Sequence, residues 1–418
     1  MSEIPVKGKD VFRVLHTADW HLGKSLHDYS RKEEHELFLE WLIHEIQARG
    51  VDLLVIAGDI FDTANPPQAA QALYYEFLSR LVQLGTCSAV IVAGNHDSPY
   101  FLEAPKALLS YMYIEVNGVL RSKPADRLLT IPWGEDNEKE FTVAILPFLR
   151  NQDLMRGRSG QDQKTIEKEL REGIRRAYSD TAEALREKGM GNGPVLATGH
   201  LTVVGCTKAD SERDIHVGGL GAVNSSVFPK EFDYVALGHL HGPQFVEGDE
   251  RVRYSGSPIP LSFSEEGQQK EVMLLDFDSS GLVARQSLPI PPWRKIYQLL
   301  VPWDRIHEVL DQFDPESGEL KTWVEVKVVG APRSVDAHQL VMEETESRDF
   351  DVLAVLLEDA PTEENGDSVE PLSIDVLDEP LVVFRLLMNQ GGVEDEETRS
   401  NLETTFLEVV EEVEKELA

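Results

Sequence analysis

Five short apolar runs in this chain each end in a polar cluster of metal-ligand type, and this recurrence limits the possible folds more than any other feature. The clusters are Thr17-Ala18-Asp19-Trp20-His21, Gly58-Asp59, Gly94-Asn95-His96-Asp97, Gly199-His200 and Gly238-His239-Leu240-His241. They follow strand-like stretches over Val11–His16, Asp52–Ala57, Ala89–Ala93, Val195–Thr198 and Tyr234–Leu237. A metal-centred site in an α/β protein requires strands that deliver oxygen and imidazole donors from their C-terminal ends to one edge. The glycines before Asp59, Asn95, His200 and His239 allow close backbone approach there. One such fragment would mean little, since a histidine after a strand is usually structural and Gly-Asp is usually a turn. Turn chemistry does not account for five together.

Between these runs the pattern alternates β-branched strands with amphipathic segments, which predicts a mixed α/β domain. A further strand is expected over Phe141–Leu146, and helices over Arg31–Arg49, Pro67–Leu84 and Lys164–Lys188. Residues 150–188 carry ten basic and eight acidic side chains, and a solvated helix face is preferred there to a DNA contact. Strands follow at Val272–Phe277 and Leu282–Leu288. Pro289, Pro291 and Pro292 cannot continue a helix or an interior strand, so a first domain is expected over 1–290. A small α+β domain over 293–357 is expected from strand-like Ile296–Val301, Trp323–Val329 and Val352–Leu357. An acidic linker, 358–377, leads to a tail, 378–418, with two helical candidates. Asp378-Glu379-Pro380 suits a helix start and Gly391-Gly392 a stop. Leu381–Met388 is apolar except at Arg385, and Leu402, Phe406, Val409, Val410, Val413 and Leu417 form one stripe. These faces either pack on the rest of the chain or meet a partner.

The chain of 418 residues has 74 Asp and Glu against 40 Lys and Arg, a formal charge of −34. Such a surface repels nucleic acid and anionic lipid, so a phosphate-bearing substrate needs a local device, and bound cations are the simplest. Cys87 and Cys206 are the two cysteines, too few for a disulfide framework or a thiolate zinc site. Met1–Asp10 lacks the apolar run of a signal peptide, and no apolar stretch approaches a bilayer span. A reducing cytoplasm and no membrane contact are the expectation.

Two divalent ions would bring four positive charges, of which Asp19 and Asp59 return two, leaving the centre cationic. Four histidines mixed with Asp and Asn suit Mn²⁺ better than Mg²⁺, which prefers oxygen and water. In order and spacing, D-x-H, G-D, G-N-H-D, G-H and G-H-x-H resemble the calcineurin-like metallophosphoesterases. The runs His16–Gly23, Gly58–Thr63, Ala197–Thr202 and Tyr254–Pro258 resemble that family's DNA nuclease subunits. The resemblance is strong over residues 11 to about 280 and weaker, by domain order, beyond them.

That resemblance implies a β-sandwich flanked by helices, with 293–357 capping the nuclease site and a C-terminal helical pair. It implies two Mn²⁺ per chain: Asp19, His21, Asp59 and His241 hold one, Asp59, Asn95, His200 and His239 the other, with Asp59 bridging. His96, next to a ligand, is the candidate to contact the phosphate and protonate the leaving oxygen. Asp97 either orients His96 or caps the turn before Pro99, and Asp62 matches the family pattern as a support for a ligand. The implied activity is Mn²⁺-dependent exonuclease and endonuclease cleavage of double-stranded DNA ends and hairpins, in replication, recombination and repair. The implied partner is a coiled-coil ATPase, in a heterotetramer built on a homodimer of this chain. A phosphoesterase acting on small phosphodiesters or phosphoproteins is the alternative, and a scaffold without activity is disfavoured because all seven ligand positions are filled. His27, His35, His44, His216, His307 and His338 are expected to be surface or packing residues.

Overall fold

The computed structural model describes residues 7–154, 163–190, 193–207, 222–316, 318–332 and 336–358, and in the tail Leu381, Phe384, Met388, Arg399, Leu402, Glu403, Thr405 and Phe406. It divides into two compact units, residues 1–328 with 334–356, and residues 329–333 with 357–418. The expected linker 358–377 and most of the expected tail lie outside the described residues.

Two six-stranded mixed sheets dominate the first unit. One has the order Gly281–Pro289 (β14), Glu271–Asp278 (β13), Phe12–Thr17 (β1), Leu53–Ala57 (β4), Ser88–Val92 (β5) and Ile114–Asn117 (β6). The other runs Gln244–Val246 (β11), Asp249–Tyr254 (β12), Tyr234–Gly238 (β10), Val195–His200 (β9), Lys139–Ala144 (β8) and Leu128–Trp133 (β7). β1, β4, β5 and β6 are mutually parallel, as are β8, β9, β10 and β12.

The interior strands β4, β5 and β10 are mostly apolar because both faces of each sheet are covered there. Alternation decides which side chain goes where. Val14, Leu53, Val55, Val90 and Val92 join Phe141, Val143, Leu196, Tyr234 and Ala236 in one core, where Phe141 stacks on Phe12 with ring centroids 4.4 Å apart. Leu15, Leu54, Ile56, Ala89 and Ile91 turn outward to a second core with helices Lys32–Arg49 (α1) and Gln68–Leu84 (α2). A third core packs helix Gln163–Glu187 (α6) on the other sheet through Leu170, Ile174, Tyr178 and Leu185. The arrangement is a β-sandwich with helices on its outer faces. Short helices Pro99–Glu103 (α3), Lys106–Ser110 (α4) and Asn151–Leu154 (α5) occupy connections.

On α6, Arg171 and Arg175 pair with Glu167 and Glu172, Arg186 with Glu231, and Arg176 bonds the Leu154 carbonyl. These pairings fit a solvated helix face. A hairpin of Ser25–Leu26 (β2) and Tyr29–Ser30 (β3) follows the first ligand cluster.

The prolines at 289–292 change the chain's direction without loosening it, because Ile290 and Trp293 are buried in the core around α1 and α2. Beyond them Ile296–Pro302 (β15), Thr322–Val329 (β16) and Phe350–Glu358 (β17) form a three-stranded sheet with helices Ile306–Gln312 (α7) and Ala337–Thr345 (α8). This α+β portion is anchored to the sandwich at Trp323. Arg294 lies over its ring at 3.9 Å and Arg31 at 5.5 Å, and both guanidiniums pair with buried Glu34. His27 Nε2 meets Glu325 Oε1 at 3.1 Å across the same junction.

Candidate metal centre

The parallel strands end at one edge, and their continuations carry the ligand-type residues. Two loops there are stitched by backbone bonds. The Asp19 N–H donates to the Gly58 carbonyl at 3.0 Å, His21 to Asp59 at 3.0 Å and Leu22 to Ile60 at 2.9 Å. Asp19, His21, Asp59 and His239 all hold positive φ (54°, 46°, 49° and 103°), a conformation unfavourable for residues with a Cβ and concentrated at functional sites. A Cβ at Gly94 would collide with the Asp59 carboxylate, and one at Gly58 with the His200 ring.

Asp19, His21, Asp59, His200, His239 and His241 are each at most 3% exposed, while Asn95 and His96 are half-buried. Donor atoms of Asp19, His21 and His241 lie within 4.8 Å of one another, as do those of Asp19, Asp59 and His200, and those of His21, Asp59 and His96. His200 Nε2 is 3.0 Å from Asn95 Oδ1 and 3.3 Å from Asp59 Oδ2, while its Nδ1 meets the Ala57 carbonyl at 2.9 Å. His239 donates its backbone N–H to Asp19 Oδ1 at 2.8 Å.

His21 tests whether the site fits a cation. Its Nδ1 meets Asp62 Oδ1 at 3.2 Å, and its buried Nε2 has no hydrogen-bond partner among the described residues and lies 3.6 Å from Asp59 Oδ2. An imidazole oriented by a carboxylate through one nitrogen, with the other left over, is the usual arrangement of a metal-ligating histidine. The donor set of carboxylate, amide and imidazole fits divalent ions.

Charge explains why this edge needs cations. Burial would raise Asp59, but His200, His96 and His21 outweigh it and hold the carboxyl well below its usual range. Burial would lower His200, but Asp59, through charge and hydrogen bond, with Asp19 and the Ala57 carbonyl, raises it to about 9. Burial holds His21 and His241 down, in the neutral state that ligation requires. Asp62 remains ionised because its bond to His21 outweighs burial.

Asp97 is buried between two loops. Its carboxylate accepts from the backbone N–H groups of Gly94 (2.8 Å), Phe61 (2.9 Å) and Ile60 (3.2 Å), tying the loop after β4 to the loop after β5. The helix after Ser98 is capped by the Ser98 hydroxyl. The His96 ring is set by its Nδ1 on the Asp62 carbonyl at 2.7 Å, and its backbone N–H donates to Asp59 Oδ1 at 2.9 Å. His35 is buried with Nε2 on the Trp20 carbonyl, His307 meets Glu344, His44 and His338 are exposed, and His216 lies outside the described residues. Glu265 and Lys270, buried beside His241, carry no signal in the sequence, because Ser-Glu-Glu-Gly-Gln-Gln-Lys reads as an ordinary polar turn.

Residues 12–243 match the family model described as calcineurin-like phosphoesterase. The chain is 36% identical over 344 residues to the SbcD subunit of the SbcCD nuclease of Escherichia coli strain K12, covering 82% of this chain and 84% of that protein. It is 40% identical over 296 residues to the protein of that name from Rhodobacter capsulatus, covering 69% and 71%, and 33% identical over 320 residues to that from Bacillus subtilis strain 168, covering 76% and 78%.

The acids around His200 raise its pKa to about 9, so a divalent cation bound through this imidazole would displace a proton at pH 7. If a divalent cation binds there, its binding at pH 7 should release about one proton per chain from this residue. Titration calorimetry in buffers of different ionisation enthalpy measures it, and His200→Gln should release correspondingly less. Equal release by both proteins would show that His200 is neutral before the cation arrives.

Proposed function

Because the chain belongs to the calcineurin-like phosphoesterase family as an SbcD-type nuclease subunit, we propose that it hydrolyses DNA phosphodiesters at a two-cation centre, with Mn²⁺ as the metal. One cation is held by Asp19, His21, Asp59 and His241, the other by Asp59, Asn95, His200 and His239. The observation that carries this reading is His21, a buried imidazole locked by Asp62 with its other nitrogen turned toward Asp59. The alternative, a small-phosphodiester hydrolase, would need only the sandwich, whereas the likeness to nuclease subunits extends over 82% of the chain.

Cations bound at this edge would supply positive charge for the phosphodiester and lower the pKa of a water. The remaining steps belong to the chain's own groups. Asp59 would serve both cation positions; its Oδ2 lies near His21 and His200, and its Oδ1 accepts from the His96 backbone N–H. His96 is half-buried, and with Nδ1 on the Asp62 carbonyl it would give its proton to the leaving oxygen through Nε2. His96→Ala should keep two cations and lose about 10²- to 10⁴-fold in turnover, whereas Asp59→Ala should lose both. Metal titration alongside Mn²⁺-dependent cleavage of linear duplex and hairpin DNA separates the two, and loss of a cation from His96→Ala would make His96 a ligand.

The partner in this reading is an SbcC-like coiled-coil ATPase, bound by the 378–418 tail, with the α+β portion over 293–357 capping the site and helping to admit DNA. Support for the cap is its anchorage to the sandwich at Trp323. Support for the tail is its apolar stripe within a segment, 361–418, of 17 acidic and three basic side chains. Association with a basic partner should weaken with salt. Truncation before Asp378 should abolish ATPase binding and spare hydrolysis of a small phosphodiester; pull-down of the ATPase at normal affinity would contradict this. A cytoplasmic setting accords with the free Cys87 and Cys206.

A homodimer within the complex is supported by an aromatic surface on α3, α4 and the turn after them. Tyr100 and Tyr111 are each 87% exposed, Tyr113 79% and Leu108 60%, more than isolated surface residues of this kind require. Sedimentation should find a dimer that Tyr111→Glu with Leu108→Glu converts to monomer; an unchanged mass would place the dimer contact elsewhere.

A further inference from the structure

A buried charged pair lies behind the ligand edge, on the segment joining β12 to β13, and the mechanism above does not use it. Glu265 is 3% exposed and Lys270 4%, and ionised groups this deep are costly unless each is fully engaged. The Lys270 ammonium shares its three N–H groups among four acceptors: Glu265 Oε2 at 2.5 Å, Gln268 Oε1 at 2.6 Å, the His241 carbonyl at 2.9 Å and Ser257 Oγ at 3.0 Å. The other Glu265 oxygen, Oε1, lies 3.8 Å from His241 Nδ1. Charge acts at that separation, and a small ring rotation from it reaches hydrogen-bond range.

Both members of the pair therefore converge on His241, the cation on its backbone and the acid on its ring. The ring sits edge-to-face against His21 with centroids 5.1 Å apart, in the group with Asp19. An ion pair serving only to fill the core would have no reason to address one ligand twice.

We propose that Glu265, held by Lys270, is a positioning residue for His241. It keeps Nδ1 turned to the carboxylate and the ring within the group of Asp19 and His21, and thereby sets the affinity of that one cation position. Lys270 cancels the added negative charge, so the ring is oriented while the net charge of the edge is unchanged. The inference rests on the two-cation reading above.

The test is Mn²⁺ binding by calorimetry and electron paramagnetic resonance, with thermal melting to confirm folding. Wild type should bind two cations. Glu265→Leu should weaken one position by about 10- to 100-fold and leave the other unchanged. Glu265→Gln, whose amide oxygen can still accept from Nδ1–H, should recover most of the loss. Should Glu265→Leu not fold, the double variant Glu265→Leu/Lys270→Met removes the pair together and carries the same expectation. Two wild-type affinities in the folded variant, or equal weakening of both, would overturn the inference. A wild-type protein that does not take two cations would instead overturn the reading on which it rests.

Discussion

The structure depends on one buried concentration of charge: Asp59, with Asp19 beside it, enclosed by imidazoles where parallel strands end. Carboxylates in such surroundings persist only if positive charge is supplied. The acids raise His200, and burial lowers His21 and His241. Divalent cations fit this mixture of carboxylate and imidazole. The backbone supports the same conclusion, because four ligand-type residues sit at positive φ, each costing about 1 kcal/mol or more; Asp19, His21 and Asp59 are stabilised by the bonds between the loops after β1 and β4, and His239 by its N–H on Asp19.

The sandwich supplies what this cluster needs. Its interior strands are buried on both faces, so their ends are fixed by cores on either side. Asp97 adds a local tie: burial and the Asp59 charge push its carboxyl above the usual range against three backbone donors. It bonds Ile60 and Phe61 from one loop and Gly94 from the next. A displacement of either loop would therefore move Asp59 relative to Asn95.

Much of this is legible in the sequence. The interior strands β1, β4, β5, β9 and β10 stand out because burial on both faces leaves continuous apolar runs, and the ligand clusters because they follow those runs directly. Strands at sheet edges are harder: β6 has four residues and β7 contains Pro132, which only an edge tolerates. β12 escapes because Arg251 and Arg253 find acids in the structure, so its charged residues read as a loop. The role of Asp97 and the Glu265–Lys270 pair depend on contacts between distant segments, which neither spacing nor periodicity encodes.

The acidic surface also has a place in this account. A formal charge of −34 opposes general attraction of DNA, and in the proposed function affinity is concentrated at the cation centre and on the partner's surface. The central claim is that one carboxylate, Asp59, joins two cations at the strand edge. Anomalous diffraction from crystals grown with Mn²⁺, recorded at the manganese absorption edge, tests it most directly. The account predicts two peaks about 3.5 to 4 Å apart on either side of the Asp59 carboxylate. A single peak, or two peaks that Asp59 does not bridge, would contradict it.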